Sequence, residues 1–218
     1  MTDPAPVTAS DSDSPRRRPD GPPPGAVAAV ALGFTIAAAV AYGFDARHWI
    51  GFFTFASSVP LGVCAATVHA RQLKLGVRVP GPGIGLVGGV TASVMLAIAG
   101  LLGLASTRVA GIPASVSDLV TEVVFLLGGV GFATGVGLLI AGIAVPATIL
   151  RLLPRWLARA GLAIGLLGEV SFLCMLWGGL DVVLPIVRFG GLAWLVTVGF
   201  LLPRDRRDAP TRARAARR

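Results

Sequence analysis

Glu169 and Arg188 are the residues best placed to do chemistry, an acid and a base each set well inside a long apolar stretch. A charge within a membrane-length apolar segment is expensive, and by default it marks a functional site. Their two stretches, Trp156 to about Leu202, are joined by Gly178, Gly179 and Asp181, which reads as a tight antiparallel hairpin. At 1.5 Å per residue both charges then sit roughly 10–12 Å below the same membrane face. Gly161, Gly165 and Glu169 share one face of the first helix, and Arg188, Gly191, Leu195 and Gly199 share one of the second. Each charge continues a stripe of small residues, which turns it into a bundle and away from lipid. One reading is a buried salt bridge that sets the register of two helices. The other is a polar site in the outer half of the bundle, binding an ion, a proton or a polar headgroup. Glu122, early in the preceding apolar segment, is a candidate third member, or a side chain that snorkels to the interface.

Other chemistry is thinly represented. There is no His-Glu-x-x-His, no Gly-x-Ser-x-Gly and no carboxylate pair within one apolar segment. His48 and His69 fall at opposite ends of their segment, so no catalytic or metal-ligating set is expected, and no cofactor. Cys64 and Cys174 lie at depths that differ by more than the ~7 Å Cα separation a disulfide tolerates, so two buried, unpaired thiols are expected. The expectation is a protein that is not an enzyme.

The elements that must position these residues follow from composition. Hydrophobic residues make up 54% of the 218 and charged residues 14%, too few charges to cover a soluble globule. The apolar runs reach the ~20 residues that cross a bilayer core as helix. An all-α, six-helix transmembrane bundle is predicted over residues 25–203, with spans at about 26–44, 49–70, 84–105, 118–145, 156–177 and 182–202. Residues 1–24, rich in Pro, Asp and Ser, read as a disordered tail, and 204–218 as a basic one.

Within the spans, several positions stand out. Span 1 carries small residues every fourth position at Ala29, Gly33, Ala37 and Ala41, a face for close helix packing. Arg16–Arg18, the apolar stretch and Ala39-Val40-Ala41 also resemble a signal peptide, although the stretch is longer than a usual signal core. Pro60 in span 2 is a candidate hinge, with the Ser57 and Ser58 hydroxyls at hand for the carbonyl it frees. Span 3 repeats the four-residue pattern at Gly85, Gly89, Ser93 and Ala97. Ser115 and Asp118 fit a capping box before span 4, which is long enough that it must tilt, project or break. Five glycines between Gly128 and Gly137 are its weak centre. Tight packing is the plain reading of Gly131 and Gly135, and an unwound, ligand-lining hinge is the sharper one.

Charge placement orients the bundle. Of the 19 basic residues, all but Arg47, Arg108 and Arg188 fall on one side of a six-span topology. By the positive-inside rule both termini are cytoplasmic, in the inner cell membrane. Besides the lipid bilayer itself, anionic lipid headgroups are the expected partners of the arginine-rich tail, and nucleic acid is not. Spans 1–3 and 4–6 show no internal similarity.

The run Leu75-Gly76-Val77-Arg78-Val79-Pro80-Gly81-Pro82 carries a resemblance, as does Leu184-Pro185-Ile186-Val187-Arg188-Phe189-Gly190-Gly191 leading to Gly199-Phe200-Leu201-Leu202-Pro203-Arg204. Over about residues 25–204 the chain resembles small six-span bacterial inner-membrane proteins grouped as a domain of unknown function. The resemblance implies a six-helix fold and no activity. The function expected is binding or moving a small solute, ion or lipid through the polar site. The alternative is a structural or assembly subunit that docks other membrane proteins through glycine-rich helix faces.

Overall fold

A computed structural model describes residues 22–203, all helix and turn with no strand among them. Most of residues 1–24 and all of the tail 204–218 lie outside the described range. Six helices are long and apolar enough to cross a membrane: α1 (Pro24–Gly43), α2 (Arg47–Lys74), α3 (Gly81–Ser106), α4 (Ala114–Ile149), α5 (Arg155–Met175) and α6 (Gly178–Leu201). The chain is an all-α, multi-pass membrane protein.

Prolines start the helices and left-handed residues end them. Pro23, Pro80, Pro113 and Pro154 each stand immediately before a helix, where a fixed φ and a missing N–H cost least. Pro113 caps α4 with its backbone alone, so Ser115 falls inside the first turn and the expected capping box does not form. α1, α2 and α4 end alike, with Asp45, Gly76 and Arg151 at positive φ. In each case the next amide reaches back across the last turn: Ala46 N–H to Ala41, Val77 N–H to Gln72 and Leu152 N–H to Ala147, at 2.9, 3.1 and 3.0 Å. This motif satisfies carbonyls that a helix end would leave bare.

The helices pack as a ring in chain order, closed by α1 against the Gly191–Leu201 part of α6. Glycines set the approach. A Cβ on Gly135 would meet the Gly88 carbonyl at 2.9 Å, and one on Gly100 the Gly51 carbonyl at 2.9 Å; Gly25 and Gly199 abut where α1 meets α6. Such contacts let backbones come close enough for dispersion to replace the hydrophobic drive that lipid removes. On α1 the buried residues are Pro24, Gly25, Ala28, Ala31, Thr35, Ala38 and Ala41. Of the expected stripe only Ala41 is buried, and Gly33 has open space around it.

One end of the bundle, its basic end, holds Arg71, Lys74, Arg78, Arg151, Arg155 and Arg159. There α2 is bonded to three neighbours: His69 Nδ1 lies 2.9 Å from the Pro82 carbonyl of α3, Arg71 Nη1 donates to Gly199 O of α6 at 3.3 Å, and Gln72 Nε2 donates to Gly142 O of α4 at 3.2 Å. Toward the opposite end the helices are joined pairwise, Thr107 at the end of α3 with His48 of α2 at 3.5 Å and Thr134 of α4 with Ser171 of α5 at 3.3 Å, and it is there that helix geometry becomes irregular.

Candidate functional site

Three helices depart from α geometry around Glu169 and Arg188. α4 widens into a π turn over Leu126–Gly131, directly before Phe132. α5 tightens into a 3-10 turn over Ser171–Met175, two residues after Glu169. α6 begins with a 3-10 turn at Gly178–Leu180 and widens into a π turn over Ile186–Gly190, which contains Arg188. Single π turns inside α-helices recur at functional sites. The glycine-rich centre of α4 therefore stays helical and widens; it does not unwind.

These turns decide what each charge meets. The Arg188 guanidinium lies over the Phe132 ring, its central carbon 5.1 Å from the ring centre, and Phe132 is 1% exposed. That cation–π contact engages the guanidinium through its charge and leaves its N–H groups to other partners. On α5 the expected stripe divides. Gly161 lies beneath the Trp194 ring of α6, whereas Gly165 and Gly168 pack on Gly137 of α4. A Cβ on Gly137 would meet the Glu169 amide nitrogen at 3.0 Å, so the backbone carrying Glu169 is pressed onto α4.

The expected salt bridge is absent. No ion pair joins Glu169 to Arg188; the pair formed between described residues is Arg47 with Asp45 at 3.3 Å, on the surface. Arg188, inside the wide turn of α6, lies instead over Phe132 of α4. Glu169 Oε1 and Arg188 Nε are both buried and have no hydrogen-bond partner. They are the buried side-chain polar atoms left in that state among the described residues.

Two residues beyond Phe132 and Glu169, the hydroxyls of Thr134 and Ser171 join α4 to α5. Thr134 Oγ1 and Ser171 Oγ are 3.3 Å apart; Thr134 donates to the Val130 carbonyl and Ser171 to the Gly168 carbonyl. Each oxygen keeps acceptor capacity. Phe132, Thr134 and Ser171 escaped the sequence reading. Thr134 and Ser171 are hydroxyls within apolar stretches, a signal that was available; Phe132 gave none.

The remaining candidates are placed elsewhere. Glu122 is exposed, on the Ala114–Phe125 segment of α4 that buries no residue. Pro60 lies within an uninterrupted α2. The Ser57 and Ser58 hydroxyls donate to Thr54 O and Phe55 O at 2.8 and 2.7 Å, not to Ala56 O, the carbonyl the proline frees. Gly131 ends the π turn, and Gly135 is a packing glycine against α3. Cys64 and Cys174 are both free and buried, as expected. No cluster of three or more His, Cys, Asp or Glu that could hold a metal occurs among the described residues.

No protein-family model, no curated protein and no solved structure matches the chain. What the site can do must come from its own groups. A carboxyl oxygen and a guanidinium Nε, both buried and unpartnered, are suited to holding a polar molecule.

Proposed function

We propose that this protein binds a small polar solute, ion or lipid headgroup between α4, α5 and α6, and holds or moves it within the membrane. The observation that carries this reading is that Glu169 Oε1 and Arg188 Nε are buried, near no mutual partner, and unsatisfied. A buried polar atom without a partner costs about 1–3 kcal/mol, and more when charged. A fold keeps such groups against that cost when something else completes them. The positive-inside rule puts the basic end in the cytoplasm of a cell bounded by its inner membrane, and so puts this site in the outer half of the bundle. The arginines of residues 204–218, which lie outside the described range, supply charge that would attract anionic headgroups.

The test is access. With Cys64 and Cys174 replaced by alanine, Ser171→Cys should react with a small charged thiosulfonate added outside, and a bound ligand should slow that reaction. Absence of labelling from either side in a folded protein would contradict a binding role.

A second reading, an assembly subunit, is favoured by one observation: Ala29 and Gly33 are exposed on α1, with nothing within 4 Å of a Cβ built on Gly33. Gly33→Leu should then reduce the mass of the complex measured in native bilayer discs. Unchanged mass removes that reading.

A further inference from the structure

We infer that the ligand of this site is a zwitterion, its oxyanion on Arg188 and its ammonium on Glu169, an inference that rests on the binding role proposed above. Each half of the site states one requirement. The Phe132 ring holds the guanidinium by a cation–π contact and accepts none of its N–H groups in a hydrogen bond, so what a ligand can meet is a donor edge that includes the unpartnered Nε. That edge presents parallel N–H donors matched to the two oxygens of a carboxylate or phosphate. Glu169 Oε1 is an acceptor with no donor, and the Thr134 and Ser171 hydroxyls that join its helix to α4 spend their protons on the Val130 and Gly168 carbonyls. A donor for Glu169 must therefore come from the ligand.

Net charge separates the alternatives. A simple anion would satisfy Arg188 and add negative charge in the same three-helix neighbourhood as Glu169. A simple cation would do the reverse at Arg188. In a low-dielectric site such an unbalanced charge is heavily penalised. A molecule carrying both groups neutralises each locally and brings no net charge into the membrane.

Two sources supply this chemistry. One is an ethanolamine phospholipid headgroup reaching down from the outer leaflet. The other is a free zwitterion from water, such as an amino acid. The shared feature is an ammonium with N–H groups a few bonds from an oxyanion.

The experiment uses the unaltered full chain in bilayer discs of phosphatidylglycerol and reads thermal shift and affinity. Added separately are inorganic phosphate, ethylammonium, phosphoethanolamine and glycine; a parallel set of discs contains phosphatidylethanolamine or phosphatidylcholine. The expected result is that at least one ammonium-bearing zwitterion binds about tenfold or more tighter than phosphate or ethylammonium alone, the size of one added charged hydrogen bond. Phosphatidylethanolamine stabilising beyond phosphatidylcholine, with the soluble compounds inert, assigns the lipid source; glycine or phosphoethanolamine acting alone assigns the soluble one. Glu169→Gln should remove the preference for the zwitterion and leave phosphate binding in place. If phosphate binds as tightly as any zwitterion, the zwitterion assignment falls while binding at the site stands. If nothing in the series shifts the protein, both fall. Should Glu169→Gln fail to fold, the comparison among ligands on the unaltered chain still decides.

Discussion

Pro146 lacks the amide hydrogen that would bond the Gly142 carbonyl inside α4, and Gln72, reaching from α2, donates to that carbonyl at 3.2 Å. In lipid the freed carbonyl has no water to turn to, so a side chain from a neighbouring helix is the available remedy. Gln72 is accordingly 2% exposed despite its amide. Gln72→Leu should cost about 1–2 kcal/mol in a denaturant titration in micelles. In a Pro146→Ala background, where the helix supplies its own amide, that cost should shrink by about 1 kcal/mol, the coupling a double-mutant cycle reads. An undiminished cost would show that Gln72 acts by packing. Trp194 makes a similar contribution at the α5–α6 contact, its indole N–H donating to Leu157 O at 2.8 Å while its ring lies on Gly161.

Among the helices, the regular parts were legible and the irregular ones were not. Apolar length is a local property of the chain, so six segments could be counted from it. The glycines of α3 stand out as packing residues because four-residue spacing against bulkier neighbours gives contrast: Gly85 does meet Gly142, Gly89 meets Ala65, and Ser93 donates to the Ser58 carbonyl at 2.8 Å. On α1 that contrast is missing. With alanine on every face, the stripe Ala29-Gly33-Ala37-Ala41 and the truly buried set Ala28, Ala31, Thr35, Ala38 and Ala41 look alike in sequence. The π turns at Leu126–Gly131 and Ile186–Gly190 break the 3.6-residue period on which any facing argument rests. Glu169 and Arg188 could thus be singled out, while the partner of Arg188 could not. The helix ends carry a prediction of their own. Arg151 occupies a left-handed position, φ 53°, that suits glycine far better than a branched or long side chain. Arg151→Gly should stabilise the fold by about 1 kcal/mol in thermal unfolding, whereas Asp45→Gly should gain less, aspartate tolerating that region better. A loss on Arg151→Gly would mean that the arginine's charge contributes more to the fold than its backbone strain removes.

At the scale of the whole molecule, the bundle is tied at its basic end and irregular toward the other. Cross-ring bonds from His69, Arg71 and Gln72 hold α2 to α3, α6 and α4 there, and the unsatisfied acid and base lie in the half without them. A ligand site benefits from such a division, with one rigid end to hold the helices and one adaptable end to admit a guest. Orientation is testable directly: cysteines placed at Asp45 and Gly111 should react with an impermeant reagent outside the cell, and ones at Arg78 and Arg155 should not; the reverse pattern would invert the topology. The central claim is that Glu169 and Arg188 await a ligand and do not serve each other. The most direct measurement is the unfolding free energy of ligand-free Glu169→Gln compared with the unaltered chain. The account predicts unchanged or raised stability, since neutralising an unpaired buried charge removes a cost. A loss of about 3 kcal/mol or more, recovered by exchanging Glu169→Arg with Arg188→Glu, would mean that the two residues are a structural ion pair and would contradict the account.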